Sequence, residues 1–464
     1  MSYAVIYLEE TPRYKGAVAV PTTGPYRVST IPFYLPIQSA AASEGLKLMD
    51  RSDEQRGIYA DPPQLVDDFV PTSDIQCRAY PNELVVMLTL SGFVPTFTAG
   101  AGVNKVITLA STGTVTGGTF TLTFTPPGGT AVTTAPIIWS ASAAQVQAAL
   151  EAVGGGTNFI VKANELLCAG TALPAGSITV THQGQYTSQA TSTITATSTG
   201  LTGTIPVITT TVSTAGSVGA VLDPDGNGIP TGAYKVTFAK RHTNTAKSAT
   251  MHLAYTEDGF YQVAQGMGLS ALSISSDGAV KGTGMPLYVD GEANPALTPA
   301  YEALAIKPFR RGDLVVTWLG GGANIQDFTI QFANPLEFGT HLGIQMYDPA
   351  LLEHSKGQVG ASGTIVKRNV SPTDYAAMRA ATTFAAMARW RSPSMVGSSG
   401  AYYGMWFSMP ATQLVSGSND PLTNSRRFGA NYNWLAGYDE ASTSDVIPTI
   451  VCALANTAAL ETYV

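Results

Sequence analysis

The chain has 464 residues, of which 44% are apolar and only 12% charged, and its net charge is −7. An average soluble domain is about 25% charged, so composition excludes a disordered polyampholyte, and it excludes a coiled coil, whose heptad flanks need dense charge. The 25 Lys and Arg residues are scattered, which excludes phosphate-backbone binding as the main activity, because that needs a clustered basic footprint.

The length suits two or three domains. Its 47 Gly and 28 Pro, with many Thr, Val and Tyr, predict short strands joined by tight turns, a mainly β chain. A surface this poor in charge is expected to be covered in part by further copies of the same chain. No run of eighteen apolar residues occurs, so no membrane-spanning helix is predicted. Residues 1–10 hold Glu9 and Glu10 and no basic stretch, which predicts no secretory signal. Cys77, Cys168 and Cys452 lie far apart and read as free thiols of a chain folded in a reducing compartment.

In chain order, residues 1–20 read as an extended arm. Residues 38–73 read as a long charged loop, carrying Glu44, Asp50, Arg51, Asp53, Glu54, Arg56, Asp61, Asp67 and Asp68; loops of that length are usually functional. Met87-Leu88-Thr89-Leu90 reads as a buried strand. From about Asn104 to Ser217 the sequence turns Thr- and Ser-rich, with only Lys105, Glu151, Lys162 and Glu165 charged. That shift predicts a small α+β domain over 104–217 inserted into a host made of 1–103 and 218–464.

Within the insert, Thr119–Phe124 alternates as a strand does, and Pro126-Pro127-Gly128-Gly129 predicts a turn. Ser142 and Gln145 form a capping-box pattern before a helix whose Val146, Leu150 and Val153 share one face. Gly154-Gly155-Gly156 is expected to end that helix through a left-handed cap. Further strands are expected at Ser177–Thr181, Thr191–Thr197 and Ile205–Val212. In the host, alternation predicts strands around Tyr234–Phe238, Ala249–Tyr255 and Asp327–Phe332, each with one polar face. Leu314–Leu319 reads as more fully buried. Ser371-Pro372 opens a predicted helix with Asp374 in its first turn, an apolar stripe of Ala377, Ala381, Phe384 and Ala388, and Arg389 and Arg391 at its end. Tyr402–Met409 reads as a strand ended by Pro410.

No chemical constellation stands out. His182, His242, His252, His341 and His354 form no ligand-spaced pair, and no G-x-S-x-G elbow occurs. Gly320-Gly321-Gly322 and Ser398-Ser399-Gly400 read as turns. Asp223, Asp225 and Asn227 have the spacing of the first three oxygen ligands of a calcium loop, yet Tyr234 stands where the twelfth-position Glu belongs. Asp-Gly and Asn-Gly also form turns unaided, so the segment fits a turn and, less completely, a cation site. The clusters around Trp390, Trp406 and Trp434 fit sugar platforms, but such aromatics are more often a sandwich core or a subunit interface. No catalytic, cofactor-binding or metal residue is predicted, and the chain reads as no enzyme.

Three stretches carry a resemblance: the run Trp318-Leu319-Gly320-Gly321-Gly322-Ala323-Asn324-Ile325-Gln326-Asp327-Phe328-Thr329-Ile330-Gln331-Phe332-Ala333-Asn334-Pro335; the run Gly266–Gly278; and Trp406-Phe407-Ser408-Met409-Pro410 with the helix before it. With the run reaching Leu90-Ser91-Gly92-Phe93, they resemble the major tail tube proteins of long-tailed bacteriophages. The helix Ala141–Leu150 and the Thr-rich strands of the insert resemble modules of other phage structural proteins. The resemblance implies a tail-tube β-sandwich with a flanking helix, forming a homohexameric ring whose subunits build an inner β-barrel. Rings stack into a tube in the virion tail, assembled in the host cytoplasm, through which DNA passes without specific binding. It also implies contact with tip, terminator and tape-measure proteins. The segments 38–73 and 1–20 are the expected ring-to-ring connectors. A mildly repulsive wall suits a conduit for a polyanion, so lumen-facing side chains are expected to be acidic or neutral, with the strand Asp327–Gln331 a candidate. The insert is expected to project outward, for weak adhesion to cell-surface glycans or for stabilising the tube; if it is decoration, deleting about Asn104–Ser217 should leave tube assembly intact. A surface-binding adhesin or receptor-binding tail component is the competing reading.

Overall fold

The computed structural model describes residues 3–8, 33–35, 37–43, 46–49, 65–69, 71–155, 159–160, 163–240, 248–255, 260–292, 306–319, 321–322, 325–339, 351–354, 360–368, 372–419, 430–437 and 445–453. Among them the chain is mainly β with three helices: α1 (Pro81–Leu90), α2 (Ala143–Glu151) and α3 (Pro372–Arg379). Its strands pair antiparallel, chiefly into a network of 18 strands and another of seven.

The larger network has two main branches. One passes from Ile37–Ser43 through Thr72–Arg78, Ala279–Met285 and the second half of Phe260–Ser275. It continues through Ile325–Ala333, Gly360–Lys367 and Ala430–Gly437 to the second half of Tyr402–Asn419. The other passes from Phe93–Ala99 through Tyr234–Lys240 and Ile447–Cys452 to the first half of Tyr402–Asn419. That long strand therefore belongs to both, and its hairpin partner Thr383–Met395 carries Leu314–Trp318 on its far side. A further arm, Tyr3–Leu8 with Ala249–Tyr255, joins the first half of Phe260–Ser275.

The period-two pattern explains why these strands pack. Phe328, Ile330 and Phe332 are buried while Asp327, Thr329 and Gln331 turn outward. The inner faces of the branches meet where the Phe93 ring stands edge-on to Phe332 at 5.3 Å. Trp434 stacks on Phe328 at 5.6 Å and 9°. Trp390, Trp406 and Trp434 are all core residues, and burying each such aromatic stabilises the fold by roughly 1.5–3 kcal/mol.

Several expectations change. Met87–Leu90 is the last part of α1, a helix buried on nearly all sides. A short apolar run has no period that separates a buried strand from a buried helix; Pro81 in the first turn and Glu83 near the positive end of the dipole are the helical signals. Helix α3 stops at Arg379, and Ala381 has a φ of 50°. Phe384, Ala388, Arg389 and Arg391 lie on the strand Thr383–Met395 instead. There Ala386, Ala388 and Trp390 are buried at every second position, and Thr382-Thr383 favours extended backbone at its start. Pro410 does not end its strand: a register shift falls between Phe384 and Ala386 opposite it, and a bulge tolerates the missing donor. The strand Leu314–Trp318 is half-buried, with Val315 47% exposed.

Residues 38–73 are not one loop. They contain most of the strand Ile37–Ser43, the hairpin Leu46–Met49 with Leu65–Phe69, and the start of Thr72–Arg78; residues 50–64 lie outside the described residues. Of the expected N-terminal arm, residues 3–8 are a paired strand and 9–20 lie outside the described residues.

The smaller network is built around the 20-residue strand Val106–Thr125. Its first half is flanked by Ser177–His182 and Leu201–Thr214, and its second half by Thr193–Thr197 and the short strands Val132–Thr133 and Ile137–Ile138. Its core is separate, with Leu109, Phe120, Leu122, Phe124, Ile178 and Val180 buried against Val146 and Leu150 of α2. The capping box is present: Gln145 N donates to Ser142 Oγ and Ser142 N to Gln145 Oε1. Helix α2 ends on Ala152 in the right-handed conformation, and Gly154–Gly155 pair with Phe159–Ile160 rather than forming a left-handed cap. The chain leaves the host from Phe93–Ala99 and returns to Tyr234–Lys240, two strands that pair with each other.

Candidate functional site: a polar joint and open sheet edges

The described residues contain no group of three or more His, Cys, Asp or Glu side chains that could hold a metal ion. None of the three cysteines forms a disulfide among the described residues, and all three are buried. Burial foremost, with Glu83 and Glu151 respectively, pushes the Cys77 and Cys168 thiols up to about 12. His242 and His341 lie outside the described residues. His182 is fully buried in the insert; its Nδ1 lies 3.2 Å from the Lys105 carbonyl, while Nε2 has no hydrogen-bond partner among the described residues. Burial lowers its pKa to about 4. The Gly-rich segment is a hairpin as expected, with Thr317 opposite Gly322 and Trp318 opposite Gly321; Gly320 lies outside the described residues. Ser399 sits in a turn closed by its own N–H on the Val396 carbonyl.

The Asp223–Asn227 segment is a turn that serves as an anion for arginines. Asp223 Oδ1 accepts from the backbone N–H groups of Asp225 and Asn227 at 2.9 and 2.8 Å. Asp225 Oδ2 accepts from Arg389 Nη1 at 2.7 Å, Arg391 Nη2 at 3.1 Å and Trp406 Nε1 at 3.1 Å. Burial raises the Asp223 pKa, against the hydrogen bonds of Asn227 that lower it. The carboxylates are thus occupied by cationic and backbone donors, an arrangement that leaves little ligand capacity for a divalent cation. Arg389 and Arg391 reach Asp225 together because residues 389 and 391 of a strand share one face.

Beside this cluster the insert meets the host. Glu165, almost fully buried, accepts from Tyr402 Oη at 2.8 Å and from Gln185 Nε2 at 2.8 Å. Burial, and after it the charge of Glu165, pushes the Tyr402 phenol up, so it remains a donor. Asn104 Nδ2 donates to the Ser399 carbonyl at 2.6 Å, and its Oδ1 accepts from Thr187 Oγ1 and Ser188 N. Gly184 N donates to the Gly400 carbonyl at 2.6 Å. Both glycines have positive φ, and a Cβ on Gly184 would lie 2.8 Å from the Tyr402 ring. The loop 183–188 and the turn 396–401 therefore interlock through backbone. Sequence spacing held no sign of this joint. The one local hint is that Glu165 is among the four charged residues of the insert.

No protein-family model matches the chain, and no curated protein matches it.

The remaining feature is the set of sheet edges. Ile37–Ser43 bonds only to Thr72–Arg78 and Phe93–Ala99 only to Tyr234–Lys240, among the described residues. Leu314–Trp318 is bonded on its second side only by the two residues Gly321–Gly322. None of these three edge strands contains a charged residue. Natural edges are commonly blunted by charge, by proline or by a covering element. Pro95 lies in Phe93–Ala99, and the only irregularity of Ile37–Ser43 is a register shift between Ile37 and Ser39.

Proposed function

We propose that this chain is a structural virion protein, a tail tube subunit of the type found in long-tailed bacteriophages, which self-assembles into stacked homohexameric rings. The observation that carries the reading is three uncharged sheet edges, open among the described residues, on a charge-poor molecule. A second copy pairing along such an edge satisfies its backbone groups and removes an aggregation hazard. Cyclic closure of that pairing makes a ring, and head-to-tail contact between rings makes a filament. The sequence resemblance supplies the rest: a β-sandwich subunit contributing to an inner barrel, a lumen for the genome and for the tape-measure protein, and terminator and tip proteins at its ends. In this reading no reaction is catalysed and no cofactor is bound.

The net charge of −7 suits a conduit for DNA. The outward row Asp327, Thr329 and Gln331 is acidic or neutral, but Lys281 stands on the same sheet face, opposite Ser273, which is itself opposite Gln331, and Arg311 lies 3.7 Å from Asp327, so this face lacks the uniformly repulsive character expected of a lumen wall. The insert, a body of more than 100 residues, would sit on the tube exterior.

The test is electron microscopy of the purified chain over a concentration series, with and without isolated tail tips. Hollow tubes or six-fold rings are expected. A monomer or trimer that persists with tips added, and that binds bacterial surface glycans, would replace the tube reading with a surface-binding tail component.

A further inference from the structure

The chain is acidic overall, yet five basic side chains, four of them exposed and Arg78 half-buried, gather at one end of the first branch. Arg78 ends the strand Thr72–Arg78 opposite Ala279, and Lys281 lies two residues further along that partner. The segment 306–313 lies against the same turn, because Phe309 N donates to the Ala79 carbonyl and Ala79 N to the Gly278 carbonyl. It brings Lys307, Arg310 and Arg311, with the two arginine side chains 57% and 62% exposed. Three carboxylates share the patch. Arg78 pairs with Asp277 at 3.0 Å, Arg310 with Asp313 at 3.3 Å, and Arg311 lies 3.7 Å from Asp327. Lys281 and Lys307 have no ion-pair partner among the described residues. Asp74, on the face of Lys281, bounds the patch. An open groove of about 260 Å³, lined by Ser276, Arg311, Leu314, Val316, Ile325 and Gln326, runs beside it.

The position matters as much as the charge. Arg78 stands where the open edge Ile37–Ser43 begins, since Ile37 is opposite Cys77. Arg311 stands three residues before the open edge Leu314–Trp318. Two uncharged edges thus terminate at a patch with a positive excess, on a molecule whose remaining charge is negative.

We infer that this patch, Arg78, Lys281, Lys307, Arg310 and Arg311, is a docking surface for the acidic surface of a second copy of the chain. The inference rests on the self-assembly reading and adds to it where one contact lies and what drives it. Two molecules of charge −7 repel each other at long range. A local positive excess orients their encounter and selects one relative placement. The open edges, which carry no charge, then supply backbone pairing but no choice of partner. The ion pairs with Asp277, Asp313 and Asp327 hold the arginines extended at the surface, so less side-chain entropy is lost on docking.

The test compares wild type with Arg310→Glu/Arg311→Glu, with Lys281→Glu/Lys307→Glu, and with Arg310→Lys/Arg311→Lys, which keeps the charge. The four substituted sites are exposed, and thermal unfolding checks that each variant folds. Light scattering reads the concentration at which assembly begins, at low and at high salt. Each Glu variant is expected to raise that concentration at least about tenfold at low salt, since like charges facing across a contact are costly. The Lys variant is expected to stay near wild type, and added salt to weaken wild-type assembly. If the folded Glu variants assemble as wild type does, the inference fails while self-assembly stands. If wild type itself never assembles, the self-assembly reading fails and takes the inference with it. Unchanged assembly together with loss of duplex DNA retention in a gel shift would assign the patch to nucleic acid and overturn it.

Discussion

The phenol of Tyr402 donates a 2.8 Å hydrogen bond to the carboxylate of Glu165, which lies 237 positions earlier in the chain. Tyr402 opens the strand that both main branches of the host share, and Glu165 belongs to the insert. The two bodies are therefore joined through buried polar groups, and the insert is held in one orientation. Glu165→Ala leaves the Tyr402 hydroxyl and the Gln185 amide without that acceptor. A buried polar group left unpaired costs about 1–3 kcal/mol. Urea denaturation should show a loss in that range, and Tyr402→Phe a smaller one. The double mutant should lose less than the two single losses combined, because the residues are coupled. Additive losses would show that the bond contributes nothing.

Asp225 gathers two guanidinium groups and an indole N–H on a single oxygen. Asp225→Ala leaves Arg389 and Arg391 side by side, each about a quarter exposed. Breaking a fully buried pair costs about 3–5 kcal/mol; solvent screening at this depth brings the expected loss to about 2–3 kcal/mol. Chelators should change neither stability nor Tm, since the turn is held by arginines. A Tm drop on chelation would give the loop to a cation.

His182 makes stability depend on acid. Its pKa is about 4 in the folded chain, lowered from 6.5 by burial, against the Lys105 carbonyl that raises it and beside the Lys105 ammonium that lowers it further. The unfolded chain takes up the proton first, so stability is full above pH about 6.5 and falls as pH drops towards 4. The total is up to about 3 kcal/mol, at about 1.4 kcal/mol for each pH unit. His182→Gln should lower stability at neutral pH yet flatten the slope between pH about 6.5 and 4. An unchanged slope would place the acid sensitivity elsewhere.

Cys77, Cys168 and Cys452 are 2%, 9% and 0% exposed. A thiol reagent at mildly alkaline pH should label none of them in the native chain and all three after denaturation, because all three are out of reach and burial raises the pKa of Cys77 and Cys168. Rapid native labelling of Cys168 would mean that the edge strand Leu166–Gly170 opens readily.

What could be read from the sequence is local. Ser142 and Gln145 are three residues apart, so their capping box forms within one turn and needs no partner. Phe328, Ile330 and Phe332 alternate with polar residues because a strand buries one face. The same logic fails where the pattern is short or two-sided. Met87–Leu90 is buried at every position, so the run itself has no period, and the helical signals Pro81 and Glu83 lie several residues before it. Ala377, Ala381, Phe384 and Ala388 have helical spacing, yet the chain turns at Ala381, and Arg389 and Arg391 gain Asp225 as a shared partner only on a strand.

Composition, alternation and caps thus determined that this chain is β-rich, poor in charge and interrupted by a Thr-rich segment, because each depends on residues within a few positions of one another. The tertiary structure alone decided which strands are left as edges, that the insert is locked at Glu165 and Tyr402, and that Arg78, Lys281, Lys307, Arg310 and Arg311 meet at one end. Those are contacts between residues up to 237 positions apart. Their free energy comes from burial and pairing after the chain has closed on itself, and no local spacing encodes it.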